Sequence, residues 1–242
     1  MKKLFLILFV LFSVSKISQA QTFGFGCLGL SGLFGGYGYQ YYQADGLNTY
    51  IRDKVAIGDL PQIDNQDFTR AEGPFVGINL FRAKFSSTFL TLKGFYQFAQ
   101  EKKEFPFEDK QSEIYELNFN YFGVALDFGI PLGSFVMFKL FDAGVTYSDI
   151  KLKVGSSDTN GEYILEEYKP QKPVIGYFAG SGLIFNIIQN YLSLEVTARY
   201  HFTKYDNFIN GGGNYLLNNE EGNLIEKSGV QATAQLNLGI PL

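Results

Sequence analysis

Residues 191–203 read YLSLEVTARYHFT, and their alternation of apolar and polar side chains decides the fold class. Successive side chains of a β-strand point to opposite sides. One face would carry Leu192, Leu194, Val196, Ala198, Tyr200 and Phe202, and the other Ser193, Glu195, Thr197, Arg199, His201 and Thr203. Such a stretch predicts a transmembrane β-strand, with one side turned to lipid and a polar side turned into a barrel.

Seven further stretches show the same period of two. The predicted strands cover residues 33–43, 73–85, 88–100, 113–130, 135–147, 173–188, 191–203 and 229–240. Three connections are short and four are long, as in outer-membrane barrels with short periplasmic turns and long outer loops. The sequence therefore predicts an all-β fold, an eight-stranded antiparallel up-and-down transmembrane β-barrel.

The fourth predicted strand changes phase along its length. Its apolar residues occupy odd-numbered positions up to Tyr121 and even-numbered positions from Val124 onward. A β-bulge adds one residue to a strand and so exchanges the two faces. We therefore predict a bulge near Phe122-Gly123.

Two of the long loops predict structure of their own. In the first loop, residues 47–55 predict a short helix against the barrel mouth. In the third loop, residues 150–165 alternate on both sides of Asn160-Gly161, a dipeptide that favours a tight turn. This loop is predicted to continue as a hairpin above the membrane.

The N-terminus carries the features of a secretory signal. Lys2 and Lys3 precede an apolar run, and Ser18-Gln19-Ala20 puts small residues where a signal peptidase cuts. The apolar run is too short for a spanning helix, which needs about 20 residues. We expect a cleaved signal peptide at residues 1–20, a Gly-rich segment at 21–32 and the barrel at 33–242.

Composition argues against several classes of function. The chain holds 24 acidic and 20 basic residues, and three lysines lie in the predicted signal, so the mature protein is acidic and no nucleic-acid partner is expected. A single Cys permits no internal disulfide. Asp59, Asp64 and Asp67 offer oxygen ligands, but their spacing matches no known cation-binding loop. We expect no metal and no cofactor.

The chain resembles a known family in its pattern of alternating strands, in its short and long connections and in its predicted signal peptide. It resembles the small eight-stranded outer-membrane β-barrel proteins of Gram-negative bacteria, of the OmpX-like and OmpA-barrel type. The resemblance covers residues 33–242 and implies an outer-membrane location, with outer-membrane lipid as a partner.

The alternative is a secreted, soluble barrel resembling lipocalins, which would bind a small apolar ligand and turn the apolar face of residues 191–203 inward.

The inner face of residues 191–203 holds the candidate site. Side chains fill the lumen of an eight-stranded barrel, so Glu195, Arg199 and His201 are expected to form a structural polar network. A sharper hypothesis is a lipid A-modifying enzyme that uses His201, the single histidine. Ser193 lies roughly 25 Å from His201 at about 3.3 Å per residue, so another strand would have to supply a nucleophile. We predict no catalytic residue.

The long loops are the favoured functional surface, because rigid scaffolds usually carry function on their connections. We expect a non-enzymatic barrel, structural or surface-binding through its extracellular loops. Besides the lipid-modifying enzyme, an accessory subunit of an outer-membrane secretion or assembly complex stays open, with other outer-membrane subunits as partners. That role predicts polar or small residues on the lipid face, and Gly176, Gly180 and Gly182 are the candidate patch.

Overall fold

The computed structural model describes residues 21–22, 32–85, 87–107, 111–158, 161–188, 191–217 and 222–239. The predicted signal peptide and most of the Gly-rich segment lie outside these residues. The described chain contains the helix α1 (Asp45–Ala56) and thirteen strands. The strands are β1 (Gln21–Thr22), β2 (Gly32–Tyr41), β3 (Arg70–Lys84), β4 (Phe89–Pro106), β5 (Ser112–Pro131), β6 (Val136–Asp158), β7 (Gly161–Pro170), β8 (Val174–Ile188), β9 (Leu192–Phe202), β10 (Tyr205–Asp206), β11 (Phe208–Ile209), β12 (Asn223–Ile225) and β13 (Gly229–Leu238).

Eight of these strands close into an antiparallel barrel. The order around the wall is β2, β3, β4, β5, β6, β8, β9 and β13, and β13 pairs with β2 to complete the circle. The short strand β1 adds to the lower end of β3. The predicted fold class is thus confirmed, and β4 and β6 extend further upward than the sequence pattern indicated.

Strand β9 keeps one face in the lumen and the other outside, as its alternation predicts. Glu195, Arg199 and His201 are buried inside the barrel. Tyr200 and Phe202 are exposed on the outer wall, and Phe202 retains 59% of its surface. This arrangement is opposite to the one that the lipocalin-like alternative requires.

Strand β5 passes Phe122-Gly123 without a bulge, so the predicted bulge is wrong. Its pairing with β4 is continuous throughout, and its pairing with β6 shifts only at Phe128/Gly129. The odd-numbered side chains face inward along the strand. The apolar side chains of β5 change faces because the surroundings change. The upper barrel has an apolar interior and a polar outer wall, whereas the lower barrel has an apolar outer wall and an interior that holds buried charges and aromatic rings.

The upper interior is a hydrophobic core formed by the ends of the strands and by the long loops. Helix α1 buries Leu47 and Ile51 there, beside Tyr115 and Phe119 of β5. The amide of Asn48 exchanges hydrogen bonds with the backbone of Phe68, at 2.7 and 3.1 Å. The helix predicted over residues 47–55 is therefore present and closes the barrel mouth.

The predicted hairpin of the third loop is also present. Strand β6 continues upward to Asp158, and β7 returns alongside it. The turn residue Asn160 lies outside the described residues. Strands β4, β5, β6 and β7 together form a sheet that stands above the rest of the wall, which we call the projecting sheet.

The proposed glycine patch does not lie on the lipid face. A Cβ atom on Gly176 would meet the Oγ1 atom of Thr203 at 2.1 Å, and one on Gly180 would meet Cγ of Arg199 at 2.9 Å. Thr203 and Arg199 are lumen residues, so these glycines make room for side chains inside the barrel. Among the described residues, no helix is long and apolar enough to cross a membrane.

Candidate functional site

The carboxylate of Glu195 is the centre of an ionic cluster in the lower lumen. The Nζ atom of Lys93 donates to both of its oxygens, at 2.7 and 2.9 Å, and Nζ of Lys139 donates to Oε1 at 2.8 Å. Gln235 and Asn237 donate to Oε2 at 3.2 and 3.3 Å. Glu195 is fully buried, so these donors replace the water that its charge has lost.

Two aspartates complete the cluster. Asp127 lies 2.6 Å from Nζ of Lys93 and 3.1 Å from Nζ of Lys139. Both contacts are ion pairs whose angles do not suit a hydrogen bond. Asp142 accepts from Lys139 at 2.5 Å and from Arg199 at 3.1 and 3.2 Å. Three carboxylates thus face three cations, and the cluster is electrically balanced.

The same three carboxylates are close enough together to ligate a metal ion. Each carboxylate already has an ion pair with Lys93, Lys139 or Arg199, which supply the positive charge a cation would bring. The cluster is therefore complete as a set of ion pairs. Asp59 and Asp67 of the first loop instead pair with Lys54 and Arg52, and with Asp64 they form no such group among the described residues.

An aromatic layer lies directly above the ionic cluster. The guanidinium of Arg199 stands 4.9 Å from the ring centre of Phe178 and 5.3 Å from that of Phe95, both within cation–π range. Gly123 and Gly144 admit these rings, because a Cβ at either position would lie 2.3 or 2.7 Å from a ring atom. Ions below and rings above fill the lumen at this level.

His201 belongs to the aromatic layer. Its ring stacks on Phe178 at 5.3 Å and meets Tyr121 edge-on at 5.7 Å. Its Nε2 atom lies 3.2 Å from Oε1 of Gln231, an acceptor, so this nitrogen carries the proton. Of the three residues singled out from the sequence, Glu195 and Arg199 are joined through Lys139 and Asp142, and His201 lies apart from them.

Sequence reasoning missed the other four charged members, Lys93, Asp127, Lys139 and Asp142. Each interrupts an otherwise apolar or aromatic stretch, as Lys93 does in residues 89–96, FLTLKGFY. A lone charge at an inward position of a barrel strand needs a partner of opposite sign in the lumen. That requirement is the signal that would have found them.

A second candidate site lies on the projecting sheet, at the edge of β7. On one side β7 pairs with β6 from Gly161 to Tyr168. On the other side, within the described residues, it pairs only through Lys169 and Pro170, with β11. The pairing with β6 skips Leu165, and both Ile164 and Leu165 are exposed, at 52 and 62% of their surfaces. An open strand edge thus carries two adjacent apolar side chains.

Comparisons with known proteins found similar solved structures and no match by sequence. No family model and no curated protein matches the chain. Similar solved structures include the following three. Ail, the attachment invasion locus protein of Yersinia pestis, in complex with the heparin analogue sucrose octasulfate, is 15% identical, with 87% of this chain and 96% of that chain covered and a TM-score of 0.39. Neisserial surface protein A is 10% identical, with 87 and 99% covered and a TM-score of 0.42. The outer membrane protease OmpT of Escherichia coli is 10% identical, with 87 and 94% covered and a TM-score of 0.39.

Proposed function

We propose that the protein spans the outer membrane and binds an extended segment of another protein at the edge of β7. The lower outer wall supports the first half of this proposal. Its exposed side chains are apolar on all eight strands, as at Tyr37, Val76, Phe98, Phe122, Val145, Tyr177, Val196 and Leu236. A water-soluble barrel would expose this belt at a high cost in free energy, and a bilayer covers it.

The belt favours an autonomous barrel over an accessory subunit. A charged side chain at a lipid-facing midplane position costs about 2–4 kcal/mol, so one in the belt would indicate a covering partner. Along the described barrel strands, the outward positions between the upper rim and the lower turns carry no charged residue. The glycine row, the other candidate for a partner surface, faces the lumen.

The open edge of β7 carries the second half of the proposal. Unpaired backbone N–H and C=O groups at a sheet edge accept a further strand, which gains main-chain hydrogen bonds. Ile164 and Leu165 add apolar anchors on this edge. Glu166 and Glu167 follow them and are exposed, with Glu166 accepting from the Tyr168 hydroxyl and Glu167 paired with Lys151. Both carboxylates keep a solvent-facing side, so a segment that combines apolar and basic residues fits the edge best.

A lipid-modifying enzyme finds less support. The single histidine, His201, is buried in the lumen and donates to an amide oxygen. A base for lipid chemistry must reach the outer wall or the rim, where the substrate would lie. We therefore propose a binding protein rather than a lipid-modifying enzyme that uses His201.

Selection from a displayed library of random peptides tests the binding site. The folded protein is held in lipid nanodiscs as bait, and the selected peptides are then added while amide exchange is followed. We expect enrichment of extended apolar–basic sequences and new protection in β7. The double variant I164E/L165E should lose the selected peptides, and the control E104Q, on the outer face of β4, should keep them. Peptides that bind both variants equally, or that protect another segment, would contradict the proposal.

A further inference from the structure

The outer face of the projecting sheet carries a row of charged side chains whose sign alternates from strand to strand. Strand β4 contributes a cation, β5 an anion, β6 a cation and β7 an anion, and each pairs with the next in the strand register. The adjacent Leu117 and Leu152 point inward into the hydrophobic core, so the charges point outward. We call this set the charged row; its members are Lys102, Glu116, Lys153 and Glu167.

The inner members of the charged row have an opposite charge on each side. Glu116 faces Lys102 on one side and Lys153 on the other, and Nζ of Lys153 donates to Oε1 of Glu116 at 3.2 Å. Burial alone would raise the pKa of Glu116. Hydrogen bonds from Asn118 and Lys153 and the positive charge of Lys102 outweigh burial, so this pKa lies below its ordinary value. The neighbouring charges of the row therefore stabilise one another.

Glu167 ends the charged row at the open edge of β7. On the side of β6 it faces Lys153. On the other side no strand of the described chain reaches it, because β11 pairs only with the two residues that end β7. Oε1 of Glu167 lies 3.2 Å from Nζ of Lys151, which also belongs to β6. The side chain of Glu167 keeps 41% of its surface, against 20% for Glu116, so this carboxylate can accept from a further donor.

The row of residues above the charged row is apolar where it reaches the same edge. Ile114 of β5 pairs with Gly155 of β6, and Gly155 pairs with Ile164 of β7. Ile114 is buried, whereas Ile164 is exposed. On its outer face the open edge therefore presents an apolar side chain above an anionic one. A strand added to this edge would extend both rows, and opposite charges directly across two strands stabilise their pairing.

We propose that the segment bound at β7, here called the guest strand, extends the charged row with a Lys or Arg side chain opposite Glu167 and places an apolar side chain against Ile164. The inference rests on the proposed binding of an extended segment at this edge, and it adds the residue that selects the segment. Glu167 accepts from the cation of the guest strand. An acidic side chain at the same position meets a like charge and is rejected.

Charge reversal at Glu167 tests the proposal. Displayed random peptides are selected on the wild type and on E167K, each folded in lipid nanodiscs. We expect the wild type to enrich Lys or Arg at one fixed position of the peptides, and E167K to enrich Asp or Glu at that position. The control E104K reverses an exposed charge on the same face of the sheet, on β4 and away from the edge. It should select the same peptides as the wild type.

The affinity of one selected peptide gives the size of the effect. Replacement of its enriched basic residue by Gln should weaken binding to the wild type by about two- to fivefold, the contribution of one cross-strand ion pair. The same replacement should leave binding to E167Q nearly unchanged, because that variant has no charge opposite the replaced residue. This comparison also decides the question if E167K does not fold.

The outcomes separate this inference from the proposed function. Selection of the same charges by the wild type and E167K overturns the role of Glu167. Equal weakening of the Gln peptide on the wild type and on E167Q does so too. In both cases the binding site at β7 stands, provided that I164E/L165E loses the peptides. If the wild type selects no peptide that protects β7, both proposals are overturned.

Discussion

The Nζ atom of Lys93 lies 2.7 Å from Oε1 of Glu195, although the two residues are on opposite walls of the barrel. Three strands lie between β4 and β9 in either direction around the circle. Both side chains are buried, and Lys139 and Asp127 share the contact. This ion pair crosses the lumen and ties its two halves together, so the centre of the barrel is a packed core and not a channel.

Removal of the Glu195 charge tests how far this cluster stabilises the barrel. E195Q leaves two buried ammonium groups short of a counter-charge, and breaking a buried ion pair in this way costs about 3–5 kcal/mol. We expect a decrease of that size in the free energy of unfolding, measured by urea titration in lipid vesicles. The exposed variant E104Q should stay within about 0.5 kcal/mol of wild type. Equal values for the two variants would contradict a stabilising role.

Ala198 tests which side of β9 meets lipid. It lies at the middle of β9 and faces outward between Val196 and Tyr200. A198R should lower the free energy of unfolding in vesicles by about 2–4 kcal/mol, the cost of Arg at a lipid-facing midplane. A198L fills the same position without charge and should be close to neutral. A tolerated arginine would mean that this surface faces water or a partner.

Helix α1 and the hydrophobic core beneath it together form a cap over the barrel mouth. Tyr42 makes this cap sensitive to alkaline pH. Its hydroxyl donates to Oε2 of Glu101 at 2.5 Å, and burial together with the Glu101 carboxylate raises the pKa of Tyr42 well above its usual value. The stabilisation is therefore fully present below about pH 10, the ordinary tyrosine pKa, and is lost as the pH rises through the folded-state value. Amide exchange in α1 should accelerate at alkaline pH.

The variant Y42F checks this assignment. It removes the ionising group and should move the onset of cap opening to higher pH, while the barrel strands exchange as before. Tyr115 and Tyr205 are also buried in the cap, and burial raises their pKa values too, so the variant delays the opening without abolishing it. An unchanged onset would show that Tyr42 does not control it.

Local periodicity predicted the wall of this barrel well. The eight strands, the helix at residues 47–55 and the third-loop hairpin all follow from patterns within about ten to twenty residues. The error at Phe122-Gly123 has a physical source. A strand that leaves the membrane exchanges its apolar and polar faces without changing register, and the sequence pattern of that exchange is identical to the pattern of a bulge.

The lumen was less predictable because its partners are distant in sequence. Glu195 was identified from the alternation of its own strand, but Lys93 is 102 residues away and Lys139 is 56 residues away. Which charges meet depends on strand order, tilt and side-chain length together. Local patterns predict that a residue faces the lumen, and only the closed barrel determines which residue it contacts.

The exchange of faces along β5 gives the most direct test of the membrane-spanning barrel. The chain contains no Trp, so a single introduced Trp is the sole source of Trp fluorescence. Phe122 and Asn118 both face outward, Phe122 within the apolar belt and Asn118 above its upper edge. Fluorescence of F122W and N118W is measured in vesicles of lipids with brominated acyl chains. The account predicts strong quenching of F122W and little of N118W. Equal quenching of both, or none of either, would contradict it.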